Sequence, residues 1–262
     1  MRPEIAVIML HPGCAIRCVF CVTEPFPDLG FEQATTLLEG LRARGIRKVV
    51  LGGGEPFDWR HSVVALAGRA KDLGLHVQVG TNGIHLPEGF ERLDAIDRYV
   101  LPLESMDPGV HDRLRISSRS HHAIILDRLG RLREARKSVT VSTVVTRQNI
   151  GGLEEIGRFL KAYHCGGAPL HAWHLYRFLP LGRGGAPNAD QLSIDEAEYH
   201  QACDALKAQE LGFAIYKCPD MYRSRSVAFF QPTGSPTRLE GIVKNSRDFA
   251  EITPIGIGGS RA

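Results

Sequence analysis

What the chain lacks narrows its function first. No apolar run approaches the roughly 20 residues of a membrane-spanning helix. The run Ile5–Leu10 is too short even for the core of a signal peptide. With 32 basic and 29 acidic residues the formal net charge is +3, too weak to argue for a nucleic-acid or membrane surface. No linker, internal repeat or low-complexity tract divides the 262 residues. The chain holds 6 cysteines, and after the first three no fourth thiolate or imidazole follows at zinc-finger spacing. A bacterial-type cytoplasmic location is the expectation. There thiols stay reduced, and clustered cysteines read as metal ligands before disulfides.

What is present is an alternation. Short runs rich in β-branched residues, Ile5–Leu10, Lys48–Gly53, His76–Asn82, Tyr99–Ser105, Ser138–Thr146, Leu170–Phe178 and Phe213–Lys217, read as buried parallel strands. Helical spacing runs through Phe31–Arg44, His61–Leu73, His122–Arg136, Leu153–Tyr163 and Asp195–Leu211. Strand, helix, strand with right-handed crossovers predicts an α/β parallel sheet, open or curled. The segment from Cys218 reads as irregular, with a hairpin around residues 232–237.

Ligands of α/β folds gather at the C-terminal ends of strands, and there the unusual residues collect. "GCAIRCVFC" after the first strand places Cys14, Cys18 and Cys21 as C-x3-C-x2-C, with Phe20 as an apolar shield. "GGEP", Gly53–Pro56, ends the second strand, Thr81-Asn82 the third and Glu104-Ser105 the fourth, and Asn149 follows the fifth. Three thiolates on a four-iron cluster leave one iron open to N and O atoms of a ligand.

This constellation resembles the radical S-adenosylmethionine (SAM) superfamily over roughly residues 5–218. The resemblance implies a partial (β/α)6 TIM-like barrel with a short seventh strand and an irregular C-terminal tail. It implies a [4Fe–4S] cluster on Cys14, Cys18 and Cys21. SAM, cleaved reductively to a 5′-deoxyadenosyl radical that takes hydrogen from a substrate, is implied to contact Gly53, Gly54, Glu55, Pro56, Thr81, Asn82, Glu104, Ser105, Arg115 and Asn149. Here the backbone of GGEP meets the SAM amino group, Thr81 and Asn82 its methionine, Glu104 and Ser105 the ribose, and Arg115 the carboxylate. The Gly-rich turn after Arg177-Phe178 resembles an adenine-side segment. A reductase such as flavodoxin or ferredoxin is implied as electron donor.

The short layout is similar to viperin-like enzymes and to the core of the molybdenum-cofactor GTP cyclase. Unlike the cyclase, the chain has only the dispersed Cys165, Cys203 and Cys218 outside the motif, so no second cluster is expected. Residues 1–218 are expected to form the barrel, and 219–262 a tail over its mouth or rim, where Lys217, Tyr222, Arg223 and Arg225 would meet an anionic small-molecule substrate such as a nucleotide. Three alternatives stay open: peptide modification, activation of a glycyl-radical enzyme, and a non-catalytic Fe–S or zinc module. His121-His122 and His171/His174 are candidate metal ligands, but positions 171 and 174 fall on opposite faces of a strand.

Overall fold

The computed structural model describes residues 4–221, 226–232, 238–241 and 255–256. Eight parallel strands form a curled half-barrel. In chain order they are β1 (Ile5–Met9), β2 (Lys48–Gly52), β3 (His76–Gly80), β4 (Arg98–Pro102), β5 (Ser138–Val145), β6 (Leu170–Arg177), β7 (Ala214–Cys218) and β8 (Val227–Pro232). The spatial order is β8-β1-β2-β3-β4-β5-β6-β7, and two short antiparallel strands, Arg238–Gly241 and Ile255–Gly256, extend the edge beyond β8.

Helices α1 (Phe31–Ala43), α2 (Val63–Asp72), α3 (Pro108–Leu114), α4 (His121–Glu134), α5 (Leu153–Cys165) and α6 (Glu196–Lys207) connect the strands. Their starts follow capping chemistry. Ser62 accepts from the Ala65 amide, Ser120 from Ala123, and Asp107 from Gly109 and Val110, each satisfying a donor that the first turn leaves free. Alternate strand residues such as Ile8, Leu51, Val79, Leu101 and Val141 are fully buried in the core beneath the helices. The opposite, inner face carries the polar residues. No helix among the described residues is long and apolar enough to cross a membrane.

Two expectations change. The segment after Cys218 is not wholly irregular: β8 pairs in parallel with β1, Ile5 beside Val227 through Ile8 beside Phe230. The sheet therefore continues past residue 218 rather than ending there. The pairing of β8 with Arg238–Gly241 is antiparallel, as a hairpin requires. Helix α3 is also new, a seven-residue segment too short for periodicity to reveal.

Candidate active site

Cys14, Cys18 and Cys21 lie on the loop that leaves β1, and the second-strand turn braces it. The Gly54 amide donates to the His11 carbonyl and the Glu55 amide to that of Gly13, both at 2.7 Å. A Cβ on Gly54 would lie 1.8 Å from the Gly13 oxygen, so backbone packs on backbone only because the residue is glycine. Gly53 has φ +131°, a conformation that a side chain would strain. The buried His11 ring reaches the Glu55 carbonyl through Nε2 at 2.6 Å, and Asp58 accepts from the Ala15 amide.

The Glu55 carboxylate is fully buried. It accepts from Thr81 Oγ1 at 2.7 Å, the Asn82 amide at 2.6 Å and the Phe57 amide at 3.1 Å. Burial pushes its pKa up to about 7, against the pull of those donors. Asn82 in turn points Nδ2 at the Cys14 sulfur, 3.4 Å away, while its Oδ1 accepts from the Ile84 amide. Thr81 and Asn82 thus meet Glu55 and the cysteine loop.

The other wall is built on Glu104, also fully buried. Arg115 Nε and Nη2 each lie 2.7 Å from its Oε1, and the Val144 amide donates to Oε2 at 2.8 Å. Expected to accept from a ribose, Glu104 has both oxygens engaged within the protein. Arg115, expected on a ligand carboxylate, pairs with Glu104 and sends Nη1 to within 3.3 Å of the Cys18 sulfur. It arrives there because Arg17-Cys18 and Arg115-Ile116 zip as a two-residue antiparallel ladder. Its guanidinium lies 5.0 Å from the centre of the buried Phe20 ring. Burial pushes the Cys18 thiol up to about 12, opposed by the Arg115 charge.

Asn149 ties β4 to β5: Nδ2 donates to the carbonyls of Glu104 and Val144, and Oδ1 accepts from the Thr146 amide and hydroxyl. Ser105 Oγ accepts from the Asp107 amide. Among the described residues no three His, Cys, Asp or Glu side chains converge on a single metal ion. In a cluster each thiolate ligates a separate iron, which needs a wider spread.

Sequence reasoning missed the seat of "GRGG", residues 182–185. The Gly184 amide donates to the Cys21 carbonyl at 2.9 Å. A Cβ there would stand 2.3 Å from the Cys18 oxygen. Arg183 donates to the Pro12 carbonyl and Asn188 to that of Val19. This turn clamps the cysteine loop from the far side. The only signal was the density of glycine itself.

Lys217 requires a correction. It pairs in register with Leu175, on the helix-covered side of β7, and its Nζ donates to Asp204 of α6 at 2.7 Å. Tyr222, Arg223 and Arg225 lie outside the described residues. The inner face instead presents groups that the sequence reading did not single out for a substrate. Arg98 Nε donates to Ser138 Oγ at 3.0 Å. The His174 ring sits 5.3 Å from that of Tyr216 and 3.3 Å from the Tyr176 hydroxyl. Burial lowers the His174 pKa to about 4, helped by His171 and Arg98. Thr140 Oγ1 is buried with no partner among the described residues.

The donor set fits an iron–sulfur cluster. Three thiols share one loop, and N–H groups from two walls aim at the sulfurs of Cys14 and Cys18. A buried neutral thiol has no need of a guanidinium, whereas a cluster-bearing thiolate does.

Comparison with known proteins points the same way. A family model described as the radical SAM superfamily matches residues 8–160. An AdoMet-dependent heme synthase of Nitratidesulfovibrio vulgaris is 28% identical over 223 residues, covering 80% of this chain and 58% of that protein. A GTP 3′,8-cyclase of Erythrobacter litoralis is 30% identical over 257 residues, covering 92% of this chain and 69% of that protein. Among solved structures, Streptococcus suis SuiB bound to SAM superposes with TM-score 0.70 at 13% identity, covering 94% of this chain and 64% of that one. The chain thus spans less than two thirds of the heme synthase and of SuiB.

Proposed function

We propose, because the chain belongs to the radical SAM superfamily, whose cofactors are a [4Fe–4S] cluster and SAM, that it cleaves SAM reductively and removes hydrogen from an anionic small molecule. The observation that carries this reading is the pair of donors aimed at the cysteine sulfurs, Asn82 Nδ2 on Cys14 and Arg115 Nη1 on Cys18. Cys14, Cys18 and Cys21 would hold the cluster. When bound, the two cofactors supply a carbon radical able to take a hydrogen atom.

The chain's own part is to bind and orient. The amides of Gly54 and Glu55 are spent on the cysteine loop and the Glu55 and Pro56 carbonyls on His11, Asp58 and Trp59, which leaves the Gly53 and Gly54 carbonyls of the GGEP turn as acceptors for a ligand's amino group, the polarity an ammonium requires. Glu55, Thr81, Asn82, Glu104, Arg115 and Asn149 act as framework: they fix the loop and the strand ends against which SAM lies. Ser105 and Pro56 border the same space. A reductase of the flavodoxin or ferredoxin kind would supply the electron.

A nucleotide substrate is supported by the likeness to the GTP cyclase over most of this chain and by His174 and Tyr216 on the inner face. Tyr222, Arg223 and Arg225 keep the role assigned from sequence. Anaerobic reconstitution tests the reading. Wild type should show a four-iron spectrum and release 5′-deoxyadenosine with dithionite. Cys18→Ala should lose both, and Cys203→Ala, whose thiol is buried beside Tyr199, should keep both. Full iron in Cys18→Ala would overturn the assignment.

A further inference from the structure

Two buried histidines join the walls, and the chemistry of their ends fixes which way each ring points its proton. The Glu104 amide lies 3.1 Å from His111 Nδ1. An amide N–H only donates, so that nitrogen accepts. A neutral His111 then carries its proton on Nε2, which lies 2.8 Å from His121 Nδ1. His121 Nδ1 therefore accepts, and its own proton sits on Nε2, 2.8 Å from the Asn82 carbonyl. That carbonyl only accepts. All three bonds form in this one arrangement of neutral rings.

Both rings are fully buried. The charged and titratable groups around them are Arg115, Asp112, Asp107 and His122. The His122 ring stands edge-on 5.4 Å from His111, and its Nε2 has no partner among the described residues. Burial and the nearby Arg115 charge lower His111 to about 2 and His121 to about 4, which keeps the pair neutral.

The ends of this relay are the residues that touch sulfur. Asn82 holds its amide on Cys14, its orientation set by the Ile84 N–H on Oδ1. Glu104 holds Arg115, which reaches Cys18. A continuous belt thus runs Cys14, Asn82, His121, His111, Glu104, Arg115, Cys18. We infer that His111 and His121 are positioning residues that set the electron affinity of the cluster by holding the Asn82 amide and the Arg115 guanidinium on two of its three thiolates, those of Cys14 and Cys18. This rests on the reading that the three thiols carry a cluster. Hydrogen bonds to sulfur favour the reduced, more negative cluster, so losing them moves the potential down.

The test has two parts. In reconstituted protein the cluster midpoint potential of His121→Leu should be more negative than that of wild type, with iron content unchanged. His121→Gln, which restores an N–H toward Asn82, should return most of the shift. A His121→Leu potential equal to wild type would overturn the inference. Against the case that His121→Leu does not fold, 15N-histidine NMR of the cluster-free wild type should show both rings as the Nε2–H tautomer. An Nδ1–H signal from either ring would overturn the belt. A wild type that takes up no iron would sink the cluster reading and this inference together. A loaded wild type whose potential ignores His121 would sink this inference alone.

Discussion

Glu55 and Glu104 face the same problem and solve it differently. Both are fully buried carboxylates at strand ends on either side of the cysteine loop. Glu55 is surrounded by neutral donors, two backbone amides and a hydroxyl. Glu104 has a guanidinium and one amide. Neutral donors disperse a charge without adding another buried ion, so the Glu55 wall tolerates loss of the charge. An ion pair leaves its partner stranded when broken. The β2–β3 wall is therefore built to be firm, and the β4–β5 wall to hold a cation beside Cys18.

The largest expected effect is on the ion pair. Glu104→Gln should lower the unfolding free energy of the cluster-free protein by about 3–5 kcal/mol, because Arg115 stays buried without an anion. Denaturant melts with the m-value checked would measure it. A loss no greater than that of Glu55→Gln would erase the distinction between the walls.

Next comes pH. His121 and His174 have folded pKa values near 4 against an ordinary 6.5. Between those values the unfolded state binds more protons, so the stability they contribute is present above pH 6.5 and lost as pH falls through 4. Each contributes on the order of 3 kcal/mol. Glu55, raised from 4.5 to about 7, works oppositely: its contribution is present below 4.5 and lost as pH rises through 7. Stability curves should rise more steeply between pH 4.5 and 6.5 in Glu55→Gln than in wild type. Parallel curves would show that Glu55 is ionised throughout.

Glu55→Gln itself should cost about 1–3 kcal/mol near neutral pH, because its NH2 turns a donor toward one of the groups that the carboxyl oxygens accept from and leaves that buried group unsatisfied. Smallest is the exposed pair that serves as an outgroup. Lys217→Ala breaks its contact with Asp204 in water, and melting temperature and GTP binding should both stay at wild-type values. Weaker GTP binding would restore Lys217 to the substrate wall.

Much of this was legible beforehand. Strands such as "KVVLG" and "HVQVG" declare themselves because buried parallel strands concentrate β-branched residues. β8, "VAFFQP", comes after a basic polar stretch and ends in proline, so its place beside β1 depended on a partner far away in the chain. The cysteines and GGEP were legible as a site because their spacing is local. Spacing located the carboxylates of Glu55 and Glu104 but not what meets them: Arg115 reaches Glu104 through the ladder with Arg17-Cys18. The GRGG turn was likewise invisible as a clamp, since Gly184 and Cys21 meet only in three dimensions.

The pairing of β8 with β1 also orders events during synthesis. β1 gains β2 as a neighbour once residue 52 has left the ribosome, but its other edge stays open until residue 230 emerges. Closing so long a loop is slow relative to the local βα pairings. The strand that leads into the cysteine loop is thus made before the other seven and has its second edge covered only by the eighth, and through that interval that edge is an unpaired row of amides and carbonyls open to another chain.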